Sequence, residues 1–361
     1  MLPKYFTNIF IIFYIFASLI KKCEADNFCK FPQATKTIKQ STTIPVSGTK
    51  DFGYVRLVAT SALRSACSIK GSVNGKNIIE VEDGGTVKNV IIGDGAKGIW
   101  CKGGCTLENV FFEKICYHGA DLGNSQDPTP KTYNIIGGGA RNAPDKIFTQ
   151  AGAGQTTITG FCAEGFGKCW RSCGMDCVQH QRSIKMTNSK FHGPGIWCKG
   201  GCTLENVFFE KICYHGADLG NSQDPTPKTY NIIGGGARNA PDKIFTQAGA
   251  GQTTITGFCA EGFGKCWRSC GMDCVQHQRS IKMTNCRLHG PGLSVISLNT
   301  NLGDKMSISN VFVDNSISFL CQEYRGIRGI TSEMRPTSEC KPNENCAKTS
   351  CKFSPKAIQL I

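Results

Sequence analysis

From Thr43 to Glu82 the chain alternates short β-branched runs with glycine and charged residues: Thr43-Ile44-Pro45-Val46, Tyr54-Val55-Arg56-Leu57-Val58, Asn77-Ile78-Ile79-Glu80-Val81. No stretch sustains apolar residues at the i, i+3, i+4 spacing of a buried helix face, so strands are expected. From Asn89 a unit recurs. Asn89-Val90-Ile91-Ile92 is followed by Asn109-Val110-Phe111-Phe112, Asn134-Ile135-Ile136-Gly137, Thr157-Ile158-Thr159-Gly160-Phe161 and Ile184-Lys185-Met186-Thr187-Asn188, with Met306 to Phe312 as a last member. Each unit is a brief apolar strand ending in a Gly or Asn turn, about 20 to 30 residues from the next. A period of that size without intervening helices implies a solenoid. A sandwich would show hairpin turns at closer intervals. The expected fold is all-β: a right-handed, single-stranded parallel β-helix.

A longer repeat is superimposed on that period. Residues 98–188 recur without substitution as 195–285, offset by 97 positions. Physical constraint does not impose identity at surface positions, so the second copy marks a recent copying event or an error in the gene model. A solenoid accommodates such an insertion: about four extra coils lengthen the stack without altering its cross-section, and at ~4.8 Å per strand the copies stand roughly 19 Å apart. Met186 to Pro194 resembles Met283 to Pro291, so the junction is in register.

Composition adds the setting. Lys4 precedes an apolar run from Phe6 to Ile20, then Lys21, Lys22 and Cys23-Glu24-Ala25. The run is short for a membrane span and reads as a secretory signal over residues 1–25, with the β-helix domain following as 26–331 and a cysteine-rich tail as 332–361. The chain has 22 cysteines. Secretion favours disulfides over a metal site for the Cys169/Cys173/Cys177 spacing, although His180 stands nearby. Losing Cys23 leaves an odd number, and removing one copy's seven leaves an even one, so the parity points to a single-copy ancestor. The balance of +14 suits a polyanionic partner such as an acidic polysaccharide. It does not point to nucleic acid, because basic blocks and aromatic-basic interleaving are missing. No membrane association is expected after signal cleavage, and a monomer is expected.

Three strings in order carry a resemblance: GGTVKNVIIG with GIWCKGGCTLENVFFE, then IIGGGARNAPDKIFTQ, then GFCAEGFGKCWRSCG. Together they resemble polysaccharide lyase family three, the small secreted pectate lyases, over roughly Thr43 to Leu320 with the repeat collapsed. The resemblance implies a parallel β-helix that cleaves de-esterified pectin, polygalacturonate, by calcium-assisted β-elimination. It places the catalytic base on the lysine of the Asp-Lys pair, Lys146 and Lys243. The cationic helpers fall on Gly-Lys-x-x-Arg: Lys168 and Arg171, then Lys265 and Arg268. Substrate contact is expected at Arg141 and Arg238.

The chemistry suits these residue types. Removing a proton beside a carboxylate needs that carboxylate neutralised, and a lysine near its free value of ~10.4 must be pushed down to act as a base. An arginine fork grips a uronate carboxylate through two bonds. The calcium side departs from the family. Its Ala-Asp-Gly aspartate is here Lys97, and Pro194 before the second copy; its Glu-Asp pair is Tyr117-His118 and Tyr214-His215; the lysine beyond that pair falls near Gly123. Asp94, Asp121 and Asp218 are the candidates to rebuild a Ca2+ site from shifted positions, with Lys97 an alternative fixed charge. His118 is expected as an unpaired turn histidine and Asp121 as a turn residue. Gly137-Gly138-Gly139-Ala140-Arg141 reads as a β-helix turn, not a phosphate loop. Of the copies, the first keeps Asp94 on its preceding rung where the second has Phe191. The lost carboxylates also leave open a second function class, a catalytically degenerate protein that binds pectin or a host component without cutting.

Overall fold

The computed structural model describes residues 29–64, 76–173, 180–193, 195–212 and 214–361; the expected signal segment 1–25, Cys177 and Pro194 lie outside them. The described residues form parallel strands stacked coil on coil, with short 3-10 turns at Thr300–Leu302 and Pro355–Ala357 as the only helical elements among them. One ladder of neighbouring residues traces the stack: Glu80, Trp100, Asp121, Thr149, Arg171, Trp197, Asp218, Thr246, Arg268, Ser297 and Gln322. Arg171 and its copy Arg268 are four steps apart on it, so the repeat has inserted four coils.

Alternation along each strand fills the interior. The ladder position before the one just named is Ile99, Ala120, Phe148, Trp170, Ile196, Ala217, Phe245, Trp267, Ile296 and Cys321, all fully or nearly fully buried. Phenylalanines continue the packing from coil to coil: Phe112, Phe148 and Phe161 lie 6.1 and 5.1 Å apart, edge to face, and Phe209, Phe245 and Phe258 repeat this at 6.2 and 5.2 Å. Each buried ring removes enough apolar surface from water to contribute about 1.5–3 kcal/mol.

The turns are set by residues that tolerate left-handed backbone. Asn89, Asn109, Gly137, Gly160, Asn188, Asn206, Gly234, Gly257, Asn285 and Asn310 all have positive φ between 49° and 67°. Asparagine and glycine enter that region at least cost. Where asparagines meet they bond side chain to side chain, Asn109 to Asn89 at 3.0 Å and Asn310 to Asn285 at 2.8 Å. Contrary to the expectation from the sequence, Asn134 does not continue the asparagine series: it lies mid-strand opposite Thr106, and Gly137 takes the corner. A side chain at Gly137 would meet Asn109 Oδ1 at 2.5 Å.

The two copies share strands Lys131–Ile136 and Lys228–Ile233, Gly139–Gln150 and Gly236–Gln247, Cys162–Ser172 and Cys259–Ser269. They differ at the junction, where Cys105–Phe112 is one strand but its counterpart splits into Cys202–Glu205 and Phe208–Glu210. Cys101 and Cys105 are bridged, whereas Cys198 and Cys202 are free. Bridges Cys29–Cys162, Cys270–Cys274, Cys321–Cys351 and Cys340–Cys346 are also formed. Cys169, Cys266 and Cys286 are buried thiols in the core, so an even cysteine count did not require every one to pair. In the tail, Ser338–Cys340 runs antiparallel to Ile317–Tyr324, and Ile358–Leu360 pairs in parallel with Val311–Val313.

Candidate active site

Two rows of polar residues stand on one face of the stack. The stack presents Lys97, just before the first copy, and then His118, Lys146 and Lys168 of that copy on consecutive coils, and three residues further along each strand Trp100, Asp121, Thr149 and Arg171. The second copy presents His215, Lys243 and Lys265, with Asp218, Thr246 and Arg268 beside them, and Ser294 and Ser297 continue the two rows on the coil after it. Outward positions on neighbouring strands lie about 4.8 Å apart, so residues distant in sequence become one cationic surface. Both sequence-derived triads are thereby assembled: Lys146, Lys168 and Arg171, and Lys243, Lys265 and Arg268.

Their surroundings differ although their sequences do not. In the first triad Lys146 Nζ is 2.5 Å from Asp145 Oδ1. Lys168 has no carboxylate within ion-pair distance among the described residues. Its ammonium lies 4.2 Å from the centre of the Trp197 ring, and the Arg171 guanidinium lies 5.0 Å from it. Burial pushes the Lys168 ammonium below its ordinary range, with Asp218 opposing and the cations Arg171 and Lys146 assisting. Arg171 Nε is buried with no hydrogen-bond acceptor among the described residues. A shallow pocket lined by Gly167, Lys168, Trp197, Tyr214, His215 and Asp218 opens beside them, so residues of both copies border it.

In the second triad Lys243 Nζ is 2.6 Å from Asp242, the counterpart of Asp145. Here the cations meet a further carboxylate. Glu333 Oε1 lies 2.6 Å from both Lys265 Nζ and Arg268 Nε, and its Oε2 lies 3.7 Å from Lys243 Nζ. Arg268 is 1% exposed and also donates to Asn299 Oδ1 at 3.2 Å. Tyr324 takes the place of Trp197, with its ring 4.8 Å from Lys265 and 4.1 Å from Arg268. Burial lowers the Lys265 pKa, and Glu333 opposes the shift. Burial would raise the Glu333 carboxyl, but Arg268 and Lys265 outweigh it and hold it below the usual range.

His118 and Asp121 are not turn residues. Both lie within the strand Ile115–Leu122, His118 is buried, and its Nδ1 is 2.5 Å from Asp121 Oδ1. His118 Nε2 faces Asp145 at 3.7 Å, and His215 repeats the arrangement with Asp218 at 2.6 Å and Asp242 at 3.4 Å. Tyr117 stacks on His118 with ring centres 3.8 Å apart. Arg141 and Arg238 are not brought to the triads. They lie on the other side of the Asn142 and Asn239 turns, paired with Glu113 at 2.9 Å and Glu210 at 3.0 Å. His180 Nε2 is 2.9 Å from the Ser125 carbonyl oxygen.

The calcium candidates do not fit the ion. Asp94 is paired with Arg64 at 3.0 Å and Lys114 at 3.5 Å, while Asp121 and Asp218 are each committed to a histidine. Among the described residues no group of three or more His, Cys, Asp or Glu side chains is placed to hold a metal ion. A hard cation needs six or more oxygens, and the candidate carboxylates are already engaged, Asp94 by cations and Asp121 and Asp218 by histidines. Trp197, Tyr324 and Glu333 are not among the residues the sequence singles out for the site. His118 and Asp121 could have been found as a polar pair interrupting a strand, but nothing local marks Glu333 as a partner of residues more than sixty positions earlier.

The family model described as Pectate lyase matches residues 29–194 and again 192–331, one match per copy. Probable pectate lyase D of Neosartorya fischeri is 39% identical over 132 residues, covering 37% of this chain and 53% of that protein. Probable pectate lyase E of Aspergillus clavatus is 34% identical over 159 residues, covering 43% and 60%. The chain thus spans little more than half the length of these relatives. The solved catalytic domain of pectate lyase PelI from Erwinia chrysanthemi is 19% identical with a TM-score of 0.32, covering 90% of this chain and all of that one. On the two family matches, which together cover most of its length, the chain belongs to the pectate lyase family.

Proposed function

We propose that the chain is a secreted lyase that cleaves de-esterified pectin by β-elimination at the first triad. The carrying observation is Lys168 and Arg171 side by side, next to Lys146, with no carboxylate at ion-pair distance from either among the described residues. Family membership and the relatives' names support polygalacturonate as substrate. The apolar N-terminal run and the disulfides support secretion.

The roles follow from the partners. Lys146 is committed to Asp145, so its charge is fixed in place. Lys168, lowered by burial and unpaired, is the better group to take the proton from the carbon next to the uronate carboxylate. As that proton leaves, negative charge moves onto the carboxylate oxygens. Arg171, whose buried Nε lacks an acceptor, would receive one of them, and the Lys146 ammonium would stabilise the other. Collapse of this charge expels the glycosidic oxygen from the adjacent carbon, that oxygen takes up a proton from water to become a hydroxyl, and an unsaturated uronate end remains. No step is assigned to calcium.

Ultraviolet absorbance of that unsaturated product tests the reading. Product is expected from polygalacturonate, with less from highly methylated pectin. Correctly folded protein that yields none at any pH or calcium concentration would overturn it.

A further inference from the structure

The segment between Tyr324 and Ser338 crosses the second triad. It is fixed to the loop after Arg268 by two hydrogen bonds: Cys274 N–H donates to the Ile327 carbonyl at 3.0 Å, and Gly329 N–H donates to the Asp273 side chain at Oδ1, 2.7 Å away. Glu333 is the one acid in that segment, and its carboxylate reaches all three cations of the triad. The first triad has the same residues and strands, but Lys168 and Arg171 face Trp197 and, among the described residues, no such carboxylate. Identical sequence in two settings is an internal control: the difference comes from the segment stacked after each copy, coils of the repeat in one case and the tail in the other.

We infer that the second triad is a working carboxylate-binding site occupied by the chain's own Glu333, so that substrate has access only to the first. This rests on the proposed role of the triads in holding a uronate carboxylate. Glu333 makes there the contacts a uronate would need: one oxygen shared by a lysine and an arginine, the other directed at the second lysine. The occupant is covalently attached, so its local concentration exceeds that of any dissolved sugar. Lys265, the counterpart of the proposed base, is neutralised by the same oxygen and cannot accept a proton while Glu333 is bound. The duplication has therefore added a site that remains closed.

The test disables the open site and then opens the closed one. A Lys168→Ala, Arg171→Ala chain is expected to fall at least ~100-fold in rate on polygalacturonate, although its second triad is intact. Adding Glu333→Gln should recover ten-fold or more of that loss, with circular dichroism confirming the fold. Retention of about half the parent rate by the double variant, or no gain from Glu333→Gln, would overturn the inference. Should Glu333→Gln not fold, Glu333→Asp retracts the carboxylate by one methylene and should give a smaller gain, its absence again counting against the idea. A parent that makes no product would remove the lyase reading but not this one. Titration with trigalacturonate then decides: one binding site in the parent and two in Glu333→Gln support the inference, and equal numbers refute it.

Discussion

Arg171→Ala and Arg268→Ala are the same change in the same local sequence, and the structure assigns them different costs. Arg268 is almost fully buried, bonded to Glu333 at 2.6 Å and to Asn299 at 3.2 Å. Removing one partner of a buried ion pair costs about 3–5 kcal/mol because the other charge is stranded. Glu333 keeps Lys265 at 2.6 Å and its side chain is 23% exposed, which reduces the figure to roughly 2–3 kcal/mol. Among the described residues Arg171 would forfeit its contact with Trp197, about 0.5–1 kcal/mol, and a longer-range attraction to Asp145 beyond ion-pair distance. Against that, the substitution removes a buried Nε with no acceptor, a relief of about 1 kcal/mol, so its net cost is near zero. The difference, about 2 kcal/mol or more, is more than a ten-fold change in a local opening equilibrium. Coils of a solenoid open semi-independently, so native-state hydrogen exchange reports it better than one global melt. Amides of Trp267 to Cys270 should exchange more than ten-fold faster in Arg268→Ala, while those of Trp170 to Cys173 change little in Arg171→Ala. Equal effects within about 0.5 kcal/mol would refute the assigned asymmetry.

Acid should loosen the second site first. Glu333 has a lowered folded pKa, so its stabilisation is complete above its unfolded value of about 4.5 and is lost as pH falls through the folded value. Amide protection in residues 325–337, with the intrinsic exchange rate divided out, should fall in that acid window in the parent and stay level there in Glu333→Gln; parallel profiles would contradict the pairing. Calcium alone should shift the melting temperature by less than about 1 °C, since ligand at a hundred times its dissociation constant would add about 2.7 kcal/mol to a chain with a formed site. A rise of several degrees would show a cage that the donor set does not provide. The tryptic peptide Phe191–Lys199 spans the junction between copies and is expected among abundant peptides of the protein, whereas a single-copy chain would lack it.

Much of the fold was legible because a solenoid repeats its instructions. The Asn or Gly corner and the alternating strand recur often enough that one misaligned unit, Asn134 for Gly137, left the architecture intact. The lysines and arginines of both triads were also legible, since Asp-Lys and Gly-Lys-x-x-Arg are local strings that parallel register brings together. Arg141 stands apart from the triad because one turn separates it from the row that carries Lys146, and its partner Glu113 comes from the preceding coil. His118 was read as a turn residue because Gly-Ala-Asp-Leu-Gly has turn composition, yet the strand continues through it to Leu122. The contrast between the copies was out of reach. It depends on Trp197 and Glu333, one supplied by the inserted repeat and one by the tail, and identical sequences carry no signal of what will be stacked on them.

The central claim is that the first triad eliminates across the uronate linkage with Lys168 as base. The most direct measurement is the pH profile of unsaturated product formation from polygalacturonate by the parent and by Lys168→Ala, each checked for fold. The parent rate should rise with pH as the burial-lowered lysine loses its proton, and Lys168→Ala should lose at least ~100-fold. A Lys168→Ala chain that keeps the parent's rate and pH profile would contradict the claim.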